Sequence, residues 1–265
     1  MDIQQLKQFK ILVIGDSCTD VYNYGTCERL SPEAPVPVVK LSYSEKKPGM
    51  ALNVEKNLKA FGHETLILTN REAIIKERFV DQTTMQHLLR VDRGEEQELE
   101  PMFIGLLKTV NKMNFDYDCV VISDYNKGFL THERCEQLIK ELSKRKVKIF
   151  VDSKKKDLSC YSGCIVKVNK EEFEGMEVPP VDSELVVTMG AEGARWKDKI
   201  FSVESTNVFD VCGAGDTFMA SFVTALMSTN SFENSIQFAN KCAGISVKKF
   251  GNYTISLEDL NDLRI

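Results

Sequence analysis

The chain has 265 residues, 43% of them hydrophobic and 28% charged, which is the balance of an ordinary globular protein with ample material for a core. Its formal net charge of −5 gives no electrostatic basis for a nucleic-acid partner or an anionic membrane surface. No apolar run approaches the roughly 18–20 residues needed to span a bilayer, so no membrane segment is expected.

The polar N-terminus, MDIQQLKQFK, leads directly into ILVIG (11–15), a buried-strand pattern closed by glycine. It lacks the basic start, apolar stretch and cleavage site of a signal peptide, and a cytoplasmic protein is expected. PVPVVKLSYS carries two prolines and reads as an edge or lid strand. GMALNVEKNLKAFG places Ala51, Val54, Leu58 and Phe61 on one helical face and stops at Gly62. TLILT is the next strand, and FVDQTTMQHLLRVD reads as two short strands around a polar turn. DCVVIS (118–123) and VKIFVD (147–152) are strands separated by a helix over THERCEQLIKELSKR. ELVVTMG (184–190) is a strand, GARWKDKIFSVES a hairpin, and three helices follow at about 214–228, 231–248 and 256–263. Apolar strands alternating with amphipathic helices predict a mostly parallel sheet covered on both faces. There is no internal repeat or linker, and a single domain over 1–265 is expected.

Eight cysteines form no C-x-x-C pair, and three histidines at 63, 87 and 132 are scattered, so a zinc site is not expected. The cluster from Lys144 to Lys148 and the trio Lys154–Lys156 read most simply as solvent-facing charges.

The segment DVCGAGDTF (210–218) is the most informative. Ligands of open α/β sheets sit beyond the carboxyl ends of strands, and Gly213, Ala214 and Gly215 occupy such a place before a helix. Small residues there present successive N–H groups to an anion, helped by the helix dipole. Asp216 reads in two ways. It is either a base taking the proton of a substrate hydroxyl or an ordinary acid favoured by the helix N-terminus. No G-x-x-x-x-G-K-[ST] is present, and Phe218 stands where the third small residue of G-x-G-x-x-G would be, which argues against a dinucleotide site.

DVCGAGDTF resembles the C-terminal signature of ribokinase-like sugar kinases, the PfkB carbohydrate kinase family. ILVIGDSCTDVYNYG, RLSPEAPVPVVK, PGMALNVEKNLKAFG, LLRVD, SDYNKG and VDSKKKDLSCYSG look like its branch that phosphorylates D-glycero-D-manno-heptose 7-phosphate, in the right order along the chain. The resemblance implies a Rossmann-type three-layer sandwich with a mostly parallel sheet and a small β lid from about 17–44 and 78–92. It implies Asp216 as catalytic base and the amides of Gly213, Ala214 and Gly215 as anion hole. Asn169 and Glu172 match an N-x-x-E element governing Mg²⁺ and phosphate placement. Thr188, Gly190 and Gly193 match a loop beside the nucleotide, and Asn240 a helix flanking the adenine pocket. Asp16, Asp20, Gly49 and Asn53 would meet sugar hydroxyls. Asp210 and the backbone at Cys212 correspond to a monovalent-cation loop, for K⁺, in many relatives. Lys127, Arg78 and Arg90 are candidates for a substrate phosphate, with a surface ion pair as the competing reading for each arginine.

Two departures stand out. Relatives carry P-G-G-A-A-N where this chain has Pro48-Gly49-Met50-Ala51-Leu52-Asn53, so Met50 either reshapes the sugar pocket or points into the core. Several dozen residues are also absent after about residue 70, which predicts a trimmed fold and an edge covered by another subunit. The expected activity is ATP-dependent phosphorylation of heptose 7-phosphate at its C1 hydroxyl, with ATP, Mg²⁺ and the sugar phosphate as partners. A homodimer through the lid is expected, without a fused nucleotidyltransferase domain. The alternatives are a same-family kinase for another sugar and a binding protein that has lost catalysis.

Overall fold

The computed structural model describes residues 6–95, 99–100, 105–113, 115–204 and 207–262. Residues 205 and 263, which end the expected hairpin segment and the last expected helix, lie outside them. The chain opens with β1 (Lys10–Gly15), then two long strands, β2 (Ser17–Leu30) and β3 (Pro37–Met50), and α1 (Ala51–Ala60). Next come β4 (Glu64–Thr69), β5 (Ile74–Asp81), β6 (His87–Arg93) and α2 (Leu106–Lys112). They are followed by β7 (Cys119–Asp124), α3 (His132–Ser143), β8 (Lys148–Ser153), β9 (Ile165–Asn169) and α4 (Lys170–Glu174). The chain continues through β10 (Glu184–Thr188), β11 (Ala194–Trp196), β12 (Lys199–Phe201), α5 (Ala214–Thr229), α6 (Phe232–Ser246) and α7 (Leu257–Asp262).

The main sheet has the order β12-β11-β10-β9-β8-β7-β1-β4. From β10 to β4 every pairing is parallel, and the β11–β12 hairpin adds antiparallel strands at the far end. The apolar run of β1 is buried on both sides. Leu12 and Ile14 pack toward α2 and α3, with Val110, Leu138 and Leu142, whereas Ile11 and Val13 pack toward α1 and α5, with Val54, Leu58 and Phe222. This period-2 division of a continuous hydrophobic strand makes the three layers. α5 is buried from Asp216 to Leu226 because α1 and α6 flank it. The fold is ribokinase-like, with a mostly parallel central sheet.

A second sheet, ordered β3-β2-β5-β6, stands beside the carboxyl ends of the main strands. The trimming after residue 70 is visible here. β4 ends the main sheet, and the chain passes from Thr69 to Ile74 directly into the second sheet. Asn70 fastens the crossing, accepting from the Ser17 N–H at 2.6 Å and donating to the Glu72 carbonyl at 2.6 Å. Tyr22 and Tyr24 of β2 pack against Phe250, which ties this sheet to the segment after α6.

Candidate active site

A cavity of about 600 Å³ opens at the carboxyl ends of β8, β9 and β10 and the start of α5. Asp152, Lys154, Lys167, Asn169, Glu172, Thr188, Gly190, Gly213, Gly215, Asp216 and Tyr125 are among its walls. Gly213 caps α5 at φ 76°, a left-handed conformation that favours glycine. A Cβ there would also lie 2.9 Å from Asn252 Oδ1 and 3.0 Å from Asn53 Nδ2, so both backbone and space require glycine. The Ala214 N–H is turned back onto the Val211 carbonyl at 3.2 Å as the first helical turn closes. Among the described residues the N–H groups of Gly213, Gly215 and Asp216 find no acceptor, so the open donors of this turn are theirs rather than Ala214's.

Asp216 is buried in the first turn of α5. Its Oδ2 accepts from Asn53 Nδ2 and its Oδ1 from the Tyr125 hydroxyl, each at 2.8 Å. Burial pushes its carboxyl up to about 6, opposed by the Asn53 bond and reinforced by the charge of Asp152. A carboxylate so placed is aimed, dry and close to neutral in affinity for a proton, as a general base requires. Among the described residues the buried Asn53 Oδ1 has no hydrogen-bond partner. Lys167, in the middle of β9, lies against the turn, with its ammonium 2.7 Å from Asp152 Oδ2. Burial lowers its proton affinity, but the Asp152 carboxylate outweighs this and holds it above the usual lysine value.

Asn169 and Glu172 form a capping box on α4. The Glu172 N–H donates to Asn169 Oδ1 and the Asn169 N–H to Glu172 Oε2, both at 2.7 Å. The other Glu172 oxygen lies 3.8 Å from Lys154, whose ammonium stands 4.7 Å from the Tyr125 ring centre. Of the lysines read as solvent-facing, Lys154 is exposed and also lines the cavity, whereas Lys155 is buried against Asp124 at 2.8 Å. Glu171 and Glu172 offer hard carboxylate oxygens, the donor type Mg²⁺ prefers, whereas the Asp152 carboxylate is engaged by Lys167. Among the described residues no three acid, His or Cys side chains form a ready-made cage. That donor set fits an ion carried chiefly by water and substrate phosphates.

The remaining expected residues divide into groups. Asp20 is buried under the second sheet, paired with Arg78 and accepting from Asn252 Nδ2 at 2.7 Å. Gly49 lies against it, where any Cβ would collide with the Asp20 carboxylate. Arg78 is thus in a buried pair rather than a surface one, whereas Arg90 is exposed and grips Asp92 with two bonds of 2.7 Å. Lys127 donates to Glu95 at 2.6 Å, and Lys76 approaches the same carboxylate at 3.1 Å. Asp16 accepts from the N–H groups of Tyr125 at 2.8 Å and Phe129 at 3.3 Å, so it organises the SDYNKG loop. Gly193 and Asn240 lie away from the cavity walls. Gly193 turns the chain at φ 93° against Phe201, and Asn240 donates to the Phe201 carbonyl at 2.7 Å. Asp210 accepts from the N–H groups of Cys212 at 2.9 Å and Gly251 at 2.8 Å, while Cys212 Sγ donates to Asn252 at 3.0 Å. Sequence reasoning missed Tyr125, Asp152, Lys167 and Asn252 as site residues. The first two sit in recognisable strand-end positions, whereas Asn252 lies in coil that carries no pattern.

A family profile described as pfkB family carbohydrate kinase matches residues 69–260. The bifunctional protein HldE of Sulfurimonas denitrificans is 32% identical over 97% of this chain, and that of Campylobacter concisus 30% identical over 97%. The chain spans 65% of the length of each of these relatives. Among solved structures, phosphofructokinase-2 from Escherichia coli in complex with potassium superposes with a TM-score of 0.75 at 14% identity, covering 97% of this chain and 98% of that one. Arabidopsis thaliana ribokinase complexed with ribose and ATP gives a TM-score of 0.67 at 14% identity, covering 98% and 100%. With the profile spanning most of the chain and the glycine turn, buried acid and strand-end cavity in place, the chain belongs to the pfkB family of carbohydrate kinases.

Proposed function

We propose that the chain transfers the γ-phosphoryl group of ATP to the C1 hydroxyl of D-glycero-D-manno-heptose 7-phosphate, giving the 1,7-bisphosphate and ADP. The observation that carries the chemistry is Asp216, buried, hydrogen-bonded by Asn53 and Tyr125, and set beside the open amides of the glycine turn. Asp216 takes the hydroxyl proton as the sugar oxygen forms its bond to the γ-phosphorus and the bond to the β-phosphate oxygen breaks. The turn's N–H groups face the charge on the phosphoryl oxygens. Glu172 is the residue that would hold Mg²⁺, which when bound would neutralise phosphate charge. Asn169 and Glu172, locked together by their capping box, keep that carboxylate in place.

A phosphorylated sugar is supported by Arg78, paired with Asp20, and by Lys76 and Lys127, which meet at Glu95. The heptose assignment rests on the resemblance of SPEAPVPVV and SDYNKG. Met50 does not oppose it, because its side chain is buried among Leu12, Ile14, Cys18 and Leu68 rather than in the cavity. The test is ADP release with heptose 7-phosphate, other sugar phosphates and free sugars. Turnover confined to free sugars would overturn the substrate, and none with any sugar would leave a binding protein. Association of two copies through the second sheet, and K⁺ at the Asp210 loop, belong to the same reading.

A further inference from the structure

The cavity is poorly suited to a polyphosphate by its side-chain charges alone. Asp152, Glu171, Glu172 and Asp216 all line it. Of the lysines there, Lys154 and Lys170 have half-exposed side chains that pair with Glu172 and Glu192. Lys167 differs. Its side chain is only 6% exposed, and it rises from β9 between Val166 and Val168, which pack on the other face. A Cβ on Gly215 would lie 3.1 Å from the Lys167 ammonium, so the absence of a side chain at 215 lets this charge rest against the turn whose amides are open.

A buried ion pair needs a reason, since an apolar pair of similar volume commonly serves stability as well. Placed in a core, Lys167–Asp152 would have none. At the wall of the cavity beside Asp216, it presents a fixed positive charge where negative charge redistributes during transfer. Resting on the kinase reading above, we infer that the Lys167 ammonium contacts the transferring phosphoryl group as a catalytic cation, complementing the turn amides. Asp152 is the counter-ion that keeps it charged and aimed before the nucleotide arrives. The ammonium forms and breaks no covalent bond. It stays protonated while the phosphoryl oxygens pass from the β-phosphate to the sugar oxygen.

Lys167→Met alone leaves Asp152 buried and unpaired and risks the fold, so the decisive variant is Lys167→Met with Asp152→Asn, which removes both charges. Activity with sugar phosphate is measured together with binding of β,γ-imido-ATP and of AMP, which lacks the outer phosphates. The expected result is a loss of about 100-fold or more in kcat, the scale of removing one oxyanion donor. Binding of the imido analogue weakens about tenfold while AMP binding is unchanged, as a contact confined to the outer phosphates requires. Recovery of kcat to within about threefold of wild type would show that Lys167 only neutralises Asp152, and overturns the inference. Unchanged affinity for the analogue overturns it equally. If the wild-type chain transfers phosphate to no sugar, the kinase reading fails, and the two nucleotide affinities still decide whether Lys167 grips the outer phosphates.

Discussion

Asp216 combines two demands that oppose each other. Its proton affinity, raised to about 6 mainly by burial, makes it a usable base and also makes its ionised form costly to the fold. A rise of about two units from the ordinary carboxylate value corresponds to about 3 kcal/mol. Because the folded-state value is raised, the stabilising contribution is complete below the unfolded value and is lost as pH rises through about 6. Asp216→Asn therefore lowers kcat by about 10²–10⁴-fold, the usual weight of a general base. Its stability gain over wild type grows by about 1 kcal/mol between pH 5 and pH 8, measured by urea unfolding at both values. The wild-type rate falls on acidification through about 6, as Asp216 takes up its proton. A flat profile to pH 5, or a variant with the wild-type rate, would remove Asp216 from the role of base. Asp16, also pushed up to about 6 by burial and by Asp124, keeps its own pH-dependent cost in the variant.

At the level of elements, the start of α1 sets backbone strain against packing at Met50. Met50 adopts φ 57° and ψ −131°, a backbone region that non-glycine residues occupy at a cost of about 1–3 kcal/mol. Its side chain, 4% exposed, fills the core, and losing such a methionine costs about 2–5 kcal/mol. The packing term is the larger, so Met50→Gly lowers stability by about 1–2 kcal/mol in urea titration, with kcat/KM unchanged. A large change in sugar KM would mean that the side chain reaches the pocket after all. The same contrast decides what was legible in the sequence. ILVIG, the α1 stripe and the apolar run of α5 follow period rules, because burial on fixed faces is all they need. Three elements escaped: α2, β9 and α4. β2, SCTDVYNYGTCERL, is expected only through the resemblance, as part of the lid, because buried polar residues such as Asp20 and Asn23 keep its pattern from alternating cleanly. In β9, Lys167 sits mid-strand and reads as a solvent residue, although the carboxylate beside it comes from another strand. Local chemistry leaves Asp216 open between a base and a helix-start acid, and the resemblance chooses the base, whereas Lys167, Asn252 and the inward turn of Lys155 depend on contacts that only folding brings together.

Across the whole molecule, the second sheet has an unfinished end. β2 pairs with β5 only as far as Gly25, and from Thr26 to Leu30 its partner is β3 alone. A two-stranded ribbon is marginal in water by itself. This one carries Leu30 at 64% exposure, with Leu41 at 57% at its base opposite Gly25 and Val36 half-exposed beside two prolines that blunt the edge. Exposed apolar residues on an arm that lacks its own core are stabilised by burial against another surface, and a second copy presents the same complementary need. The proposed homodimer would cover both arms at once. The base of the arm bears Tyr22 and Tyr24, packed on Phe250 close to Asp20 and Arg78, so ordering the arm also steadies the sugar side of the site. Light scattering after size exclusion is expected to give a dimer for the wild type and a monomer for Leu30→Glu with Leu41→Glu. Both substitutions lie away from the cavity, so the monomer should retain ATP affinity and show a raised sugar-phosphate KM. A monomeric wild type at micromolar concentration would sink the dimer, and an unaltered KM in the monomer would separate the arm from the site.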